Sequence, residues 1–107
     1  MSDIAQLADE HLASARESTH GRSAVLLGQD GPLRQTIIAL RAGTELGEHN
    51  APVAASVYVL EGAITVISDS GRNSINEGEL AMLVHERHSV EANEDSVFLL
   101  TVVTALD

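Results

Sequence analysis

Cysteine is absent from this chain of 107 residues, which excludes disulfides, thiolate metal sites and a cysteine nucleophile. Aromatic residues are nearly as scarce, with one Phe, one Tyr and no Trp, so there is no platform on which nucleic-acid bases could stack. Positive charge is short as well: 6 Lys and Arg stand against 16 Asp and Glu, for a formal net charge of −10. Such a field repels a phosphate backbone, and nucleic acid is not expected as a partner. The acidity serves solubility. No apolar run reaches the roughly 18 residues that a membrane span needs, so no membrane is expected. The start, Met1-Ser-Asp-Ile-Ala-Gln-Leu-Ala-Asp-Glu10, is acidic and amphipathic, unlike the basic lead and solid apolar block of a signal peptide. The cytoplasm is the default expectation. Nucleophile elbows of the G-x-S-x-G kind, phosphate-binding glycine loops and calcium loops are also missing.

What is present is a chain of one-domain length, 44% hydrophobic, enough for a single core. Ile4, Leu7, Ala8, Leu12 and Ala15 recur at helical spacing, which predicts a helix over 3–17 packed outside the domain or against a partner chain. Asp3 with Gln6 three residues on resembles a capping box, and Gly21 marks the exit. From there the pattern is that of strands. Runs at 23–27, 33–40, 57–60, 63–68, 79–84, 88–92 and 97–106 are separated by turn clusters such as Gly28-Gln-Asp-Gly-Pro32, Glu61-Gly62 and Asp69-Ser-Gly-Arg-Asn73. The run at 97–106 is almost continuously apolar, as in a strand buried on both faces. Many short strands at regular spacing predict an all-β sandwich or barrel.

Two segments carry a more specific pattern. The first runs Gly43-Thr-Glu-Leu-Gly-Glu-His49-Asn50-Ala51-Pro-Val-Ala-Ala55-Ser-Val-Tyr-Val-Leu-Glu61-Gly62. It resembles the first motif of the cupins, G-x5-H-x-H-x3-E-x6-G. Gly43, His49 and Gly62 fall on their marks, whereas Ala51 stands at the second His and Ala55 at the Glu. The second runs Gly78-Glu-Leu-Ala-Met-Leu-Val84-His85-Glu86-Arg87-His88-Ser-Val-Glu-Ala92-Asn93 and resembles the second cupin motif, G-x5-P-x-G-x2-H-x3-N. Gly78 and His88 agree in kind. Val84 replaces Pro, Glu86 replaces Gly, Ala92 stands at the Asn, and the Gly-to-His interval is one residue shorter. The short stretch between the motifs is similar to that of small bacterial single-domain cupins. The resemblance implies a cupin-type jelly-roll β-barrel of six to eight strands (residues 22–107) with one N-terminal helical segment (residues 1–21) packed on it. A homodimer and a pocket inside the barrel are also implied.

On that scaffold, strand alternation turns His49, Ala51, Ala55, Val57 and Val59 towards the interior. His88, Val90 and Ala92 share one face of their strand, and Ser89, Glu91 and Asn93 the other. The expected pocket is lined by His49, Ala51, Ala55, Val57, Val59, Met82, His88 and Val90. Replacing polar ligands by alanine makes it larger and more apolar, which suits a small-molecule ligand held by a few polar groups.

Two readings of the histidines stay open. In one, His49 and His88 are metal-free pocket residues satisfied by hydrogen bonds or water. In the other, they hold one divalent transition metal (Zn, Ni, Fe or Mn) with His85 as a third imidazole. The corresponding functions are a ligand-binding sensor or accessory protein, and a metal-dependent cupin enzyme of the dioxygenase or isomerase type. Tyr58 and Leu60 face away from the pocket and are candidates for a dimer contact. His11 and His20 read as surface residues of the helix and its exit, and Arg34 and Arg41 lie at opposite ends of one predicted strand.

Overall fold

Hydropathy and turn chemistry translate into one helix and nine strands among the described residues of a computed structural model. It describes residues 1–49, 52–83 and 85–104, with the backbone alone at 48 and 49. Helix α1 (Ile4–Glu17) starts where the Asp3 carboxylate accepts a hydrogen bond from the Gln6 N–H at 3.1 Å. That bond satisfies one of the N–H groups a helix start leaves without an internal partner. At the other end Arg41 Nη1 donates to the carbonyls of Arg16 (3.2 Å) and Ser18 (3.0 Å), which the helix itself cannot satisfy.

The strands are β1 (Arg22–Asp30), β2 (Leu33–Leu40), β3 (Glu45–His49), β4 (Ala54–Glu61), β5 (Ala63–Ser68), β6 (Gly71–Asn76), β7 (Leu80–Met82), β8 (His88–Ala92) and β9 (Ser96–Val103). They form two antiparallel sheets. One has five strands in the order β1-β2-β9-β4-β7, the other four in the order β3-β8-β5-β6. The protein is thus mostly β with one helix.

Strand β9 lies at the centre of the five-stranded sheet. Phe98 is opposite Ile38 and Val59, and Leu100 is opposite Thr36 and Val57. The side chains of Phe98, Leu100, Ile38, Val57 and Val59 point between the sheets and meet Ile64, Val66, Ile75, Val90 and Ala92 from the four-stranded sheet. The other face of β9 carries Val97 and Leu99. With Ile37, Ala39 and Leu60 they pack under Ala8, Leu12 and Ala15 of α1. A strand covered on both faces has no polar side to show, which explains its continuous apolar run. Leu60, a sequence-based candidate for a dimer contact, lies beneath the helix, whereas Tyr58 is 39% exposed.

The motif glycine Gly62 joins β4 to β5. Its φ is +82°, and a Cβ there would run into the Asp95 carbonyl and Ser96 Oγ. Both the left-handed backbone and the close approach require glycine.

Several boundaries depart from the sequence pattern. The break at Gly28 is a β-bulge rather than a turn: β1 shifts register between Leu26 and Gly28 and continues to Asp30. Strands β3 and β6 were not predicted. Both are edges of the four-stranded sheet, and β6 buries only Ile75. An edge strand with one buried residue lacks the alternation that marks a strand in sequence. The turn expected over 69–73 narrows to residues 69 and 70, and β7 is shorter than the apolar run at 79–84. The last strand ends at Val103, and the end of the run at 97–106 lies outside the described residues.

Candidate functional site

Strand register brings the two motifs side by side. On β8, His88 lies opposite Ser68 of β5 and opposite His49 of β3. The second pairing depends on a register shift between Leu46 and His49, because Leu46 is already opposite Val90. The His49 side chain, Ala51 and Val84 lie outside the described residues, so the description of this end of the site rests on His88 and its neighbours.

His88 is 3% exposed, and its Nδ1 lies 3.1 Å from the Glu86 carbonyl. A carbonyl only accepts, so Nδ1 is the donor and carries a proton. The bend that supplies this carbonyl is itself anchored. The Glu86 carboxylate accepts from the Ser70 N–H at 3.0 Å, and Ser70 Oγ lies 3.1 Å from Ser68 Oγ. The backbone bond from Ser70, followed by that residue's side chain, holds the Glu86 carboxyl below its usual range. A loop carrying an anion is thereby fastened to the β5–β6 turn and orients the His88 ring.

The other residues singled out in the sequence are distributed as follows. Ala55, Val57, Val59 and Val90 are buried, the last three within the core between the sheets. Met82 is 72% exposed on β7, and His85 is exposed on the bend before β8. Among the described residues no three His, Asp or Glu side chains converge in a metal-ligand cluster.

Between the free edges of the two sheets, β6 on one side and β7 on the other, lies a cavity of about 280 Å³. Its lining is Val66 and Ser68 of β5, Asn73, Ser74 and Ile75 of β6, and Ala81, Met82 and Leu83 at β7. Of the described residues expected to line a pocket, Met82 alone borders it. Ser68 and Val66 tie it to the histidine strand, since they are the register partners of His88 and Val90. Of the polar members, Asn73 was missed by sequence reasoning because 69–73 reads as a turn, Ser74 because β6 was not predicted, and Ser68 because it ends a predicted strand before that turn. The available signal was the alternation of Asn73 and Ile75 around Ser74 in a segment followed by Gly78.

At the opposite end of the molecule, Asp95 accepts from Arg16 Nε at 2.7 Å and from the Ala42 N–H at 2.8 Å. Those bonds, Ala42 first, hold its carboxyl below the usual range. They fasten the end of α1 to the sheet and lie apart from the cavity.

No protein-family model and no curated protein matches the chain. Solved structures do. A conserved protein of unknown function from Streptococcus pyogenes superposes with a TM-score of 0.74 at 26% identity, over 84% of this chain and 80% of that one. A cupin superfamily protein from Desulfitobacterium hafniense gives 0.73 at 13% identity, over 78% of each chain. A salicylate 1,2-dioxygenase from Pseudaminobacter salicylatoxidans gives 0.75 at 19% identity, over 92% of this chain but 33% of the enzyme. The chain has the cupin fold.

Proposed function

We propose that this protein binds a small molecule between its two sheets, as a sensor or accessory protein without turnover of its own. We further propose a cytoplasmic homodimer in which residues 22–107 close as a jelly-roll barrel and residues 1–21 pack outside it. The observation that carries the reading is the inter-sheet cavity of about 280 Å³. Apolar walls with a few convergent polar groups are the usual composition of small-ligand sites. Substitution at the family's metal positions favours the same reading. The side chains of Ala51 and Ala55 carry no donor atom, and Ala55 is buried where the family has a carboxylate.

The residues present do not make a conventional metal centre. A catalytic zinc keeps three protein ligands, and non-haem iron takes two His and a carboxylate. His49 and His88 supply two imidazoles, and His85 is exposed on its bend. The test is elemental mass spectrometry of untagged protein beside a His49→Ala, His88→Ala double variant. Sub-stoichiometric metal in both, with none taken up on titration, is the expected result. Stoichiometric Zn, Ni, Fe or Mn in the wild type, lost in the variant, would overturn the metal-free reading.

That second outcome would favour a metal-dependent cupin enzyme of the dioxygenase or isomerase type using His49, His88 and His85. Two observations support this alternative: the structural likeness to a salicylate 1,2-dioxygenase, and the His88 Nδ1–H donated to the Glu86 carbonyl, the kind of bond that orients a metal-ligating imidazole.

A further inference from the structure

We infer that the cavity between β6 and β7 takes an uncharged ligand, with a hydroxyl or carboxamide at one end and an apolar body. This rests on the reading above that the cavity is a ligand site.

The argument begins with the supply of cations. The chain has no lysine, and its six cations are all arginines. None of them lines the cavity. Arg16 is paired with Asp95, and Arg41 is spent on the carbonyls at the end of α1. Arg72 is adjacent in sequence to the lining residue Asn73, but its guanidinium bonds Glu91 at 3.3 Å. Arg22 and Arg34 belong to β1 and β2, at the far edge of the five-stranded sheet from β7. Arg87 is exposed on the bend before β8.

The fixed charges at the β5–β6 turn are negative: Asp69 lies on it, and Glu86 is fastened to it. Glu86 is bound to the Ser70 N–H, and Ser70 contacts the lining residue Ser68. An anion entering the cavity would lose hydration, gain no counter-charge and meet the field of that carboxylate. A cation would be drawn towards that carboxylate but would lose hydration without pairing with it, because among the described residues no carboxylate lines the cavity. Neutral ligands avoid both costs.

Size and polarity narrow the class. At roughly 30 Å³ per water, about 280 Å³ is the space of about nine waters, which suits a single substituted ring or a short chain. Ser68 and Asn73 provide hydroxyl and carboxamide groups on the side of the four-stranded sheet, able both to donate and to accept. Val66, Ile75, Ala81 and Leu83 provide the apolar wall.

The test uses four probes on one carbon skeleton, benzamide, benzyl alcohol, benzoate and benzylamine, titrated into the full chain and followed by amide NMR. Benzamide and benzyl alcohol are expected to shift the resonances of Ser68, Asn73 and Leu83 and to saturate. Benzoate and benzylamine should bind at least tenfold more weakly. In Asn73→Asp, whose edge position leaves the core untouched, the order should invert: benzylamine should gain at least threefold while benzamide weakens. Benzoate or benzylamine binding at these resonances as tightly as benzamide would overturn the uncharged-ligand inference and leave the cavity reading standing. No shift at Ser68, Asn73 or Leu83 with any of the four would overturn the cavity reading and this inference with it.

Discussion

The two sheets of this protein are held in different ways. Along β9 the five-stranded sheet is covered by hydrocarbon on both faces, with Phe98 between the sheets and Val97 under α1. The four-stranded sheet is hydrocarbon on its inner face only. Its outer face is tied by polar side chains: Thr65 Oγ1 donates to Asn93 Oδ1 at 3.0 Å, and Arg72 pairs with Glu91. Burial of a large apolar side chain contributes about 1.5–3 kcal/mol, whereas an exposed ion pair contributes about 0–1 kcal/mol. Stability therefore resides mainly in the first sheet. The second sheet is free to place Ser68 and Asn73 at the cavity, where hydrogen-bonding groups are useful and apolar ones would only fill space. Scaffold and chemistry are divided between the sheets.

The largest effect should come from removing the Phe98 ring, the largest fully buried side chain. Phe98→Ala is expected to cost about 3–5 kcal/mol, read as a fall in the urea midpoint at unchanged slope. A loss below about 1 kcal/mol would break the comparison, because the five-stranded sheet would then not carry the core. Next comes the hinge between the sheets. Gly62→Ala forces a side chain onto φ +82° and against the Asp95 carbonyl and Ser96 Oγ. About 2 kcal/mol is expected, checked by the same urea titration. A neutral result would mean that the β4–β5 turn yields more easily than its packing indicates.

The same division governs what could be read from sequence. The helix, its Asp3 cap, β2, β5, β8 and the doubly buried β9 were legible, because apolar periodicity records burial and these elements are buried on at least one face. The cupin resemblance was legible for a related reason. Gly62 is demanded by backbone conformation, and its spacing from Gly43 and His49 survives even where Ala51 and Ala55 have replaced the donors. The edges β3 and β6 were not legible. Glu45-Leu-Gly-Glu-His49 and Gly71-Arg-Asn-Ser-Ile-Asn76 are polar strands whose pairing is fixed by neighbours far away in sequence. The cavity was lost with them, since Asn73 and Ser74 lie on β6. Met82 borders the cavity, and the inward faces of Val57 and Val59 belong to the apolar cluster between the sheets, a placement that depends on three-dimensional packing. Both valines are 0% exposed in a filled core.

A polar contact behaves differently from hydrocarbon when pH changes, and Asp95 offers the contrast. Its folded-state carboxyl titrates below the usual range because Ala42 and Arg16 donate to it. The unfolded chain therefore takes up the proton first as pH falls. The stabilisation is complete above the ordinary aspartate range and is lost as pH drops through the lowered folded-state value. Asp95→Asn should destabilise at pH 7 by less than Gly62→Ala, and the gap from wild type should close below about pH 4. The gap for Phe98→Ala should persist over the same range. Urea titrations at pH 7 and pH 3 separate the two behaviours, and an Asp95→Asn gap of equal size at both would contradict the assignment.

The smallest effect should lie on the outer face of the four-stranded sheet. Arg72 and Glu91 meet at 3.3 Å with side chains 61% and 39% exposed. Water screens such a pair, and holding two long side chains together offsets part of the attraction. Arg72→Ala should therefore cost at most about 0.5 kcal/mol, and that small loss should vanish in about 1 M salt, where the screening length falls to roughly 3 Å. The variant also removes the cation nearest in sequence to Asn73, so benzamide binding should be unchanged while stability barely moves. A loss of 2 kcal/mol or more would mean that the polar face of this sheet carries as much of the fold as the hydrocarbon of β9, and the division between scaffold and chemistry would have to be redrawn.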